Sequence, residues 1–213
     1  MSELSYSPMQ LKQLVAVALD EALSNGATSA EAEVSEAVGQ SVSVRLGEIE
    51  TIEYNRDKSF GITVYIGQQK GNASSSHFSP SAIRDTVLAA MNIARFTAQD
   101  GDSGLVDTQY LCRDAQVIDC DLHHPWDLSV EAATRLAQIC EAAALESDTR
   151  IQNSEGASVH SQQSQFIYAN THGFNNGYAS SRHSLSCSVI AGKEESMQRD
   201  YWSSQARAAS DLR

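Results

Sequence analysis

Between residues 30 and 66 the apolar side chains fall on every second position, through Ala30, Ala32 and Val34, Val42, Val44 and Leu46, Ile52 and Tyr54, then Phe60, Ile62, Val64 and Ile66. The residues between them are Ser, Glu, Arg, Thr or Gly, which is the pattern of strands that bury one face and leave the other to solvent. Candidate turns at Gly39-Gln40, Gly47, Asn55 to Lys58 and Gly67 to Gln69 are too short for helical crossovers, so neighbouring strands are expected to run antiparallel.

Helical spacing brackets this stretch. Leu11, Leu14, Val15, Ala18, Leu19 and Ala22 form one stripe, Ile83, Val87, Ala90, Met91 and Ala94 a second, and Ala132, Leu136, Ile139, Cys140 and Ala143 a third. Ser7-Pro8 and Ser79-Pro80 each place a hydroxyl at the N-cap and proline at the first helical position, Ser129 caps the third helix, and Gly26 stops the first. A late strand set follows, from Gln165 to Asn170, turning through Thr171 to Gly173 and Asn175 to Gly177 into Leu185, Cys187 and Val189. The fold class is α+β: an antiparallel meander with helices packed on one face, then a second strand-rich region. Residues 97–125 show no period, which places a boundary near residue 118, with an N-terminal α+β domain over 1–118 and a helix-plus-strands domain over 119–213. The stretch from Ser203 to Arg213 has the composition of a helix just beginning.

A net charge of -12 repels phosphate backbones and no basic stripe offsets it, so nucleic acid is not an expected partner. Neither a secretory leader nor an apolar run of about 18 residues is present, which implies a cytoplasmic protein with no membrane partner. Cys112, Cys120, Cys140 and Cys187 lack CxxC spacing and are read as packing residues or inert thiols.

No His is followed by Glu, and His123-His124 would point to opposite faces if extended; the pair reads as polar loop before Pro125. His160, His172 and His183 lie on late strands without metal-ligand spacing and read as surface groups. There is no G-x-S-x-G elbow, and Cys187 sits in a strand pattern without a basic neighbour, as a buried unactivated thiol would. No catalytic or metal-binding residue is assigned. Arg199-Asp200-Tyr201-Trp202 sets an ion pair beside two aromatics, as recognition surfaces do; a tryptophan anchoring the end of a domain is the competing reading. With Asn170 and His172 of the late turn, these residues are the candidate contacts to a peptide or partner.

Several blocks carry a family resemblance: Arg45 to Lys58, Gly61 to Gly67, Ser79-Pro80 with the helix after it, Glu155 to Val159, Tyr168 to Phe174, Ser184 to Ala191 and Met197 to Trp202. Together they resemble the PmbA/TldD peptidase family, in its PmbA (TldE) branch, over its amino-terminal and central regions. The resemblance implies a chain about half the family's length, without the family's C-terminal domain. It further implies a cytoplasmic metallopeptidase complex that degrades or trims peptides, built as a dimer with a TldD-like subunit or with itself. Zinc is expected in a TldD-like partner and no cofactor in this chain, which alone would not be catalytic. The alternative is a non-enzymatic binding or assembly module that pairs through exposed sheet edges.

Overall fold

The computed structural model describes residues 3–112 and 118–213; Met1 and Ser2, and residues 113–117 of the aperiodic stretch, lie outside them. The chain order is α1 (Pro8–Ser24), β1 (Ser29–Arg45), β2 (Glu48–Ile66), β3 (Gln69–Ser75), α2 (Pro80–Phe96), α3 (Val130–Glu146), β4 (Ile151–Asn170), β5 (Asn175–Ala191) and β6 (Gln198–Ala206). All six strands join one antiparallel sheet in the order β3-β2-β1-β4-β5-β6. The α+β class and the helices on one face are therefore as the alternation predicts.

The helices begin where the sequence caps them. Ser7 accepts from the Gln10 N–H at 3.2 Å while the Gln10 side chain accepts from the Ser7 N–H at 2.8 Å, a reciprocal capping box. Ser79 and Ser129 accept from the N–H groups of Ala82 and Ala132.

Two turns expected from sequence are absent. Gly39-Gln40 and Asn55 to Lys58 continue straight through β1 and β2, where they pair with one another. The physical reason is tertiary: Gly39 lies between two strands, and a Cβ there would sit 2.7 Å from the Asn55 amide oxygen and 3.0 Å from the Ser161 carbonyl. Gln40 is buried and donates to the Leu128 carbonyl at 2.7 Å. Gly39 and Gln40 remain extended because β2 and β4 flank them on both sides, and Asn55 to Lys58 because they pair with β1.

The topology repeats in a way the sequence does not show. A helix followed by a three-stranded meander occurs twice, as α1-β1-β2-β3 and α3-β4-β5-β6, and the halves meet where β1 pairs with β4. A local two-fold axis through that pair exchanges Val34·Ile167 with Val42·Val159. Each half has its own apolar cluster. Leu11, Val15, Phe60, Ile62, Val87 and Met91 centre the first, and Val42, Val44, Ala133, Ala137, Val159 and Cys187 the second. The residue-118 boundary falls in the connection between α2 and α3, and the sheet runs through both sides of it.

The symmetry breaks at two places. Helix α2 covers β2 and β3, whereas α3 reaches only β5 in the second half and among the described residues no helix packs on β6. Helix α3 is also turned relative to its predicted stripe: Ala133, Ala137 and Glu141 are buried, while Leu136 is 37% and Ile139 60% exposed. Glu141 sets this orientation by accepting from the Leu46 and Gly47 N–H groups of the β1–β2 turn at 2.9 and 2.8 Å. The segment from Ser203 is strand to Ala206 and then a single 3-10 turn at Ala209–Asp211, not a helix, because pairing of β6 with β5 as far as His183 holds it extended.

Candidate functional site

The edge strand β6 carries four of the six candidate contact residues. Adjacent residues of β6 point to opposite faces. Arg199 and Tyr201 therefore share the helix-free face with Ser188, and Asp200 and Trp202 share the helix side with Val189 and Cys187. On that side an open groove of about 420 Å³ runs between the end of α3 and β6, lined by Ala144, Cys187, Val189, Asp200 and Trp202. Tyr201 and Trp202 are 70% and 69% exposed, so Trp202 does not serve as a buried anchor.

The ion pair is not within the Arg199-Asp200 dipeptide. The Arg199 guanidinium meets Glu155 and donates to Ser188 at 3.1 Å, while Asp200 accepts from the Tyr201 N–H at 2.8 Å. Hydrogen bonding from Ser188 and from Arg199 holds the Glu155 carboxyl below the usual range.

Asn170 and His172 sit elsewhere. Asn170 is buried and accepts from the His172 N–H at 3.1 Å and the Phe174 N–H at 3.3 Å, closing the β4–β5 turn. His172 is exposed, with Nδ1 2.9 Å from the Val106 carbonyl. From this turn to Asp200 the sheet runs about 14 residues, about 45 Å at 3.3 Å per residue. The six candidates thus form two separate patches at opposite ends of β5.

Between the two apolar clusters lies a buried polar band of Glu36, Gln40, Ser161, Gln163, Gln165 and His183. His183 Nδ1 is 3.0 Å from Ser161 Oγ and its Nε2 2.9 Å from the His124 carbonyl, with Trp126 edge-on at 5.4 Å. The carbonyl can only accept, so Nε2 carries the proton and Nδ1 accepts from the serine. Ser161 and His183 are fully buried, and this Ser–His contact fixes the segment before α3 rather than activating a nucleophile. Glu36 belongs to the same band. Burial pushes its carboxyl up, but the Ser5 and Tyr6 N–H groups and the Gln165 amide together outweigh that and hold it below the ordinary value.

The histidines do not converge. His160 and His183 occupy opposite faces of the sheet, and His172 is on the turn. Among the described residues no group of three His, Cys, Asp or Glu is placed to hold a metal ion. Burial pushes the Cys187 thiol up to about 11, with Cys140 and Glu141 adding to the shift, so it is an unactivated thiol. Among the described residues no helix is long and apolar enough to cross a membrane.

These blocks have relatives. Residues 30–94 match the family description "PmbA/TldA metallopeptidase domain 1", and residues 123–213 match "PmbA/TldA metallopeptidase central domain". The chain belongs to the PmbA/TldD family. It is 48% identical to the metalloprotease PmbA homolog of Haemophilus influenzae over 90% of this chain and 42% of that one. To the metalloprotease PmbA of Escherichia coli O157:H7 it is 46% identical over 95% of this chain and 44% of that one. The chain thus spans less than half the length of these curated relatives. A crystal structure of a proposed modulator of DNA gyrase from Bacteroides thetaiotaomicron shares the fold, with a TM-score of 0.84 at 20% identity, over 94% of this chain and 46% of that one. Among the described residues no group of donors fits the metal that the description "metallopeptidase" implies.

Proposed function

We propose that this chain supplies domain 1 and the central domain of a PmbA/TldE-like subunit in a cytoplasmic peptidase complex, and that a TldD-like subunit brings the zinc. Its part is partner and wall: it holds and orients a peptide or unfolded chain, while the hydrolysis occurs on the other subunit. The observation that carries this reading is the match of both family domains to a chain whose described residues bring no three metal donors together. The outer edge of β6 supports it, since an exposed strand edge accepts an extended peptide by backbone pairing and tolerates varied sequences. The test is a peptide-cleavage assay with this chain, a TldD-like subunit, and the two together. Cleavage only in the mixture, lost on adding a chelator, is the expected result. Cleavage by this chain alone, or a TldD-like activity that the chain leaves unchanged, overturns it.

The exposed Tyr201 and Trp202 on an edge strand favour a second reading, a non-enzymatic module that assembles through its sheet edge. In that case sedimentation shows a concentration-dependent dimer with no cleavage in any mixture. Trp202→Ala then weakens the dimer at least tenfold, a loss of about 1.4 kcal/mol or more. A clean monomer at high concentration removes this reading.

A further inference from the structure

The largest cavity described lies away from the β6 groove, at the other end of β5, and its lining has a chemistry the peptidase reading does not use. It holds about 880 Å³ and is lined by Phe166, Tyr168, Phe174 and Tyr178, faced by Asp119 and Asp121 on the segment that leads to α3. Phe166 and Tyr168 alternate with the core residues Ile167 and Ala169, so their rings stand on the helix-free face of the sheet. Tyr178 is paired across from Phe166 and is 59% exposed.

The rings form two tilted pairs. Phe166 and Tyr178 have centroids 6.1 Å apart at 50°, and Tyr168 and Phe174 are 5.9 Å apart at 48°. A third tilted pair in this molecule shows what such an arrangement takes: Tyr6 and Phe78, 5.3 Å apart at 58°, hold the Lys58 ammonium 4.9 and 5.8 Å from their centroids. No Lys or Arg is among the described residues lining the cavity. The Tyr168 hydroxyl donates to Glu31 at 2.6 Å, which holds that ring in place from outside the cavity lining.

We infer that this cavity is a binding site for an alkyl guanidinium, the side chain of an arginine presented on another chain. A planar cation gains from the ring faces and from carboxylates at once, and guanidinium does so better than ammonium because it stacks as well as pairs. The volume suits a long side chain with part of its backbone. The net charge of -12 raises the local concentration of cationic ligands without selecting among sites. The selection comes from the rings. The inference does not depend on the peptidase reading.

The experiment uses this chain alone and a glycine–serine decapeptide with one central arginine, compared with the same peptide carrying neutral, isosteric citrulline. Dissociation constants are read by NMR titration at physiological salt. The arginine peptide is expected to bind at least tenfold more tightly than the citrulline peptide. Tyr178→Leu removes a ring without changing charge. The double variant Asp119→Asn/Asp121→Asn removes charge while keeping the acceptor that holds the Asp121 N–H at 2.9 Å. Each is expected to weaken the arginine peptide at least fivefold, with unchanged circular dichroism. A distant control, Glu194→Gln/Glu195→Gln, removes the same charge and is expected to leave binding unchanged. Equal binding of the two peptides, no effect of the cavity variants, or an equal loss in the distant control overturns the inference.

Discussion

Gly71→Ala is expected to lower the unfolding free energy by about 3 kcal/mol, the upper range for overpacking a close contact. A Cβ on Gly71 would meet the Ala90 carbonyl at 2.1 Å, the Ala94 N–H at 2.5 Å and the Ala94 methyl at 3.0 Å. Two of these atoms are helix backbone, so no side-chain rotation relieves the clash and α2 must lift from β3. That movement opens the first apolar cluster, in which Val87, Ala90, Met91 and Ala94 are buried. Gly101→Ala is the matched control, because Gly101 has open space around its α-carbon, and a change within about 0.5 kcal/mol is expected there. Urea denaturation with a common slope separates the two. Equal midpoints for both variants would show that β3 and α2 are not in the tight contact described.

How far the fold was legible from sequence depends on which physical signal each element carries. Period-two alternation at Val42, Val44, Phe60, Ile62 and Val64 reports burial of one face, and those residues are buried. It cannot report how long a strand runs. Gly39-Gln40 and Asn55 to Lys58 have turn composition, yet they stay extended because Gly39-Gln40 are paired on both sides, with β2 and β4, and Asn55 to Lys58 are paired with β1. Helix α3 fails for a related reason. Spacing assigns Leu136 and Ile139 to the core because they are its largest apolar residues, whereas the sheet is approached by Ala133 and Ala137 and by a carboxylate. A buried glutamate is invisible to a hydropathy pattern, since what buries it is a pair of N–H donors more than 90 residues away in sequence.

The candidate site was legible in composition and not in geometry. Arg199 to Trp202 reads as an ion pair with two aromatics, but strand alternation separates Arg199 from Asp200 and hands the guanidinium to Glu155 on β4. Asn170 and His172 belong to the turn at the far end. The cavity rings were visible only as the alternates of a strand, and nothing in their spacing announces that the segment carrying Asp119 and Asp121 returns to face them. The two-fold relation between the halves is likewise topological: Val34 and Val159 are equivalent in place, but the helices before them share no readable repeat.

The two buried carboxylates make a second large effect, one with a definite pH dependence. Glu141→Gln is expected to cost about 2 kcal/mol near neutral pH, the worth of charge-assisted hydrogen bonds replaced by neutral ones. Although burial alone would raise the Glu141 carboxyl, the donors from Ser154, Gly47 and Leu46 and the charge of Arg45 hold it below its ordinary value. A carboxyl depressed in the folded state contributes stability that is fully present above its unfolded value, about 4.3, and is lost as pH falls through the folded value. Wild type and Glu141→Gln should therefore differ most at neutral pH and converge as pH falls below about 4. Glu36 is depressed by its own ring of donors, so Glu36→Gln should converge with wild type over the same range. The double variant should have the shallowest acid limb, because Glu36 anchors Ser5 and Tyr6 in the polar band between the clusters and Glu141 clamps Leu46 and Gly47 at the β1–β2 turn, with no shared partner to couple them. Urea midpoints between pH 3 and 7 provide the measurement. A difference between wild type and Glu141→Gln that stays constant across that range would mean that the lost stability came from packing and not from the ionised carboxylate.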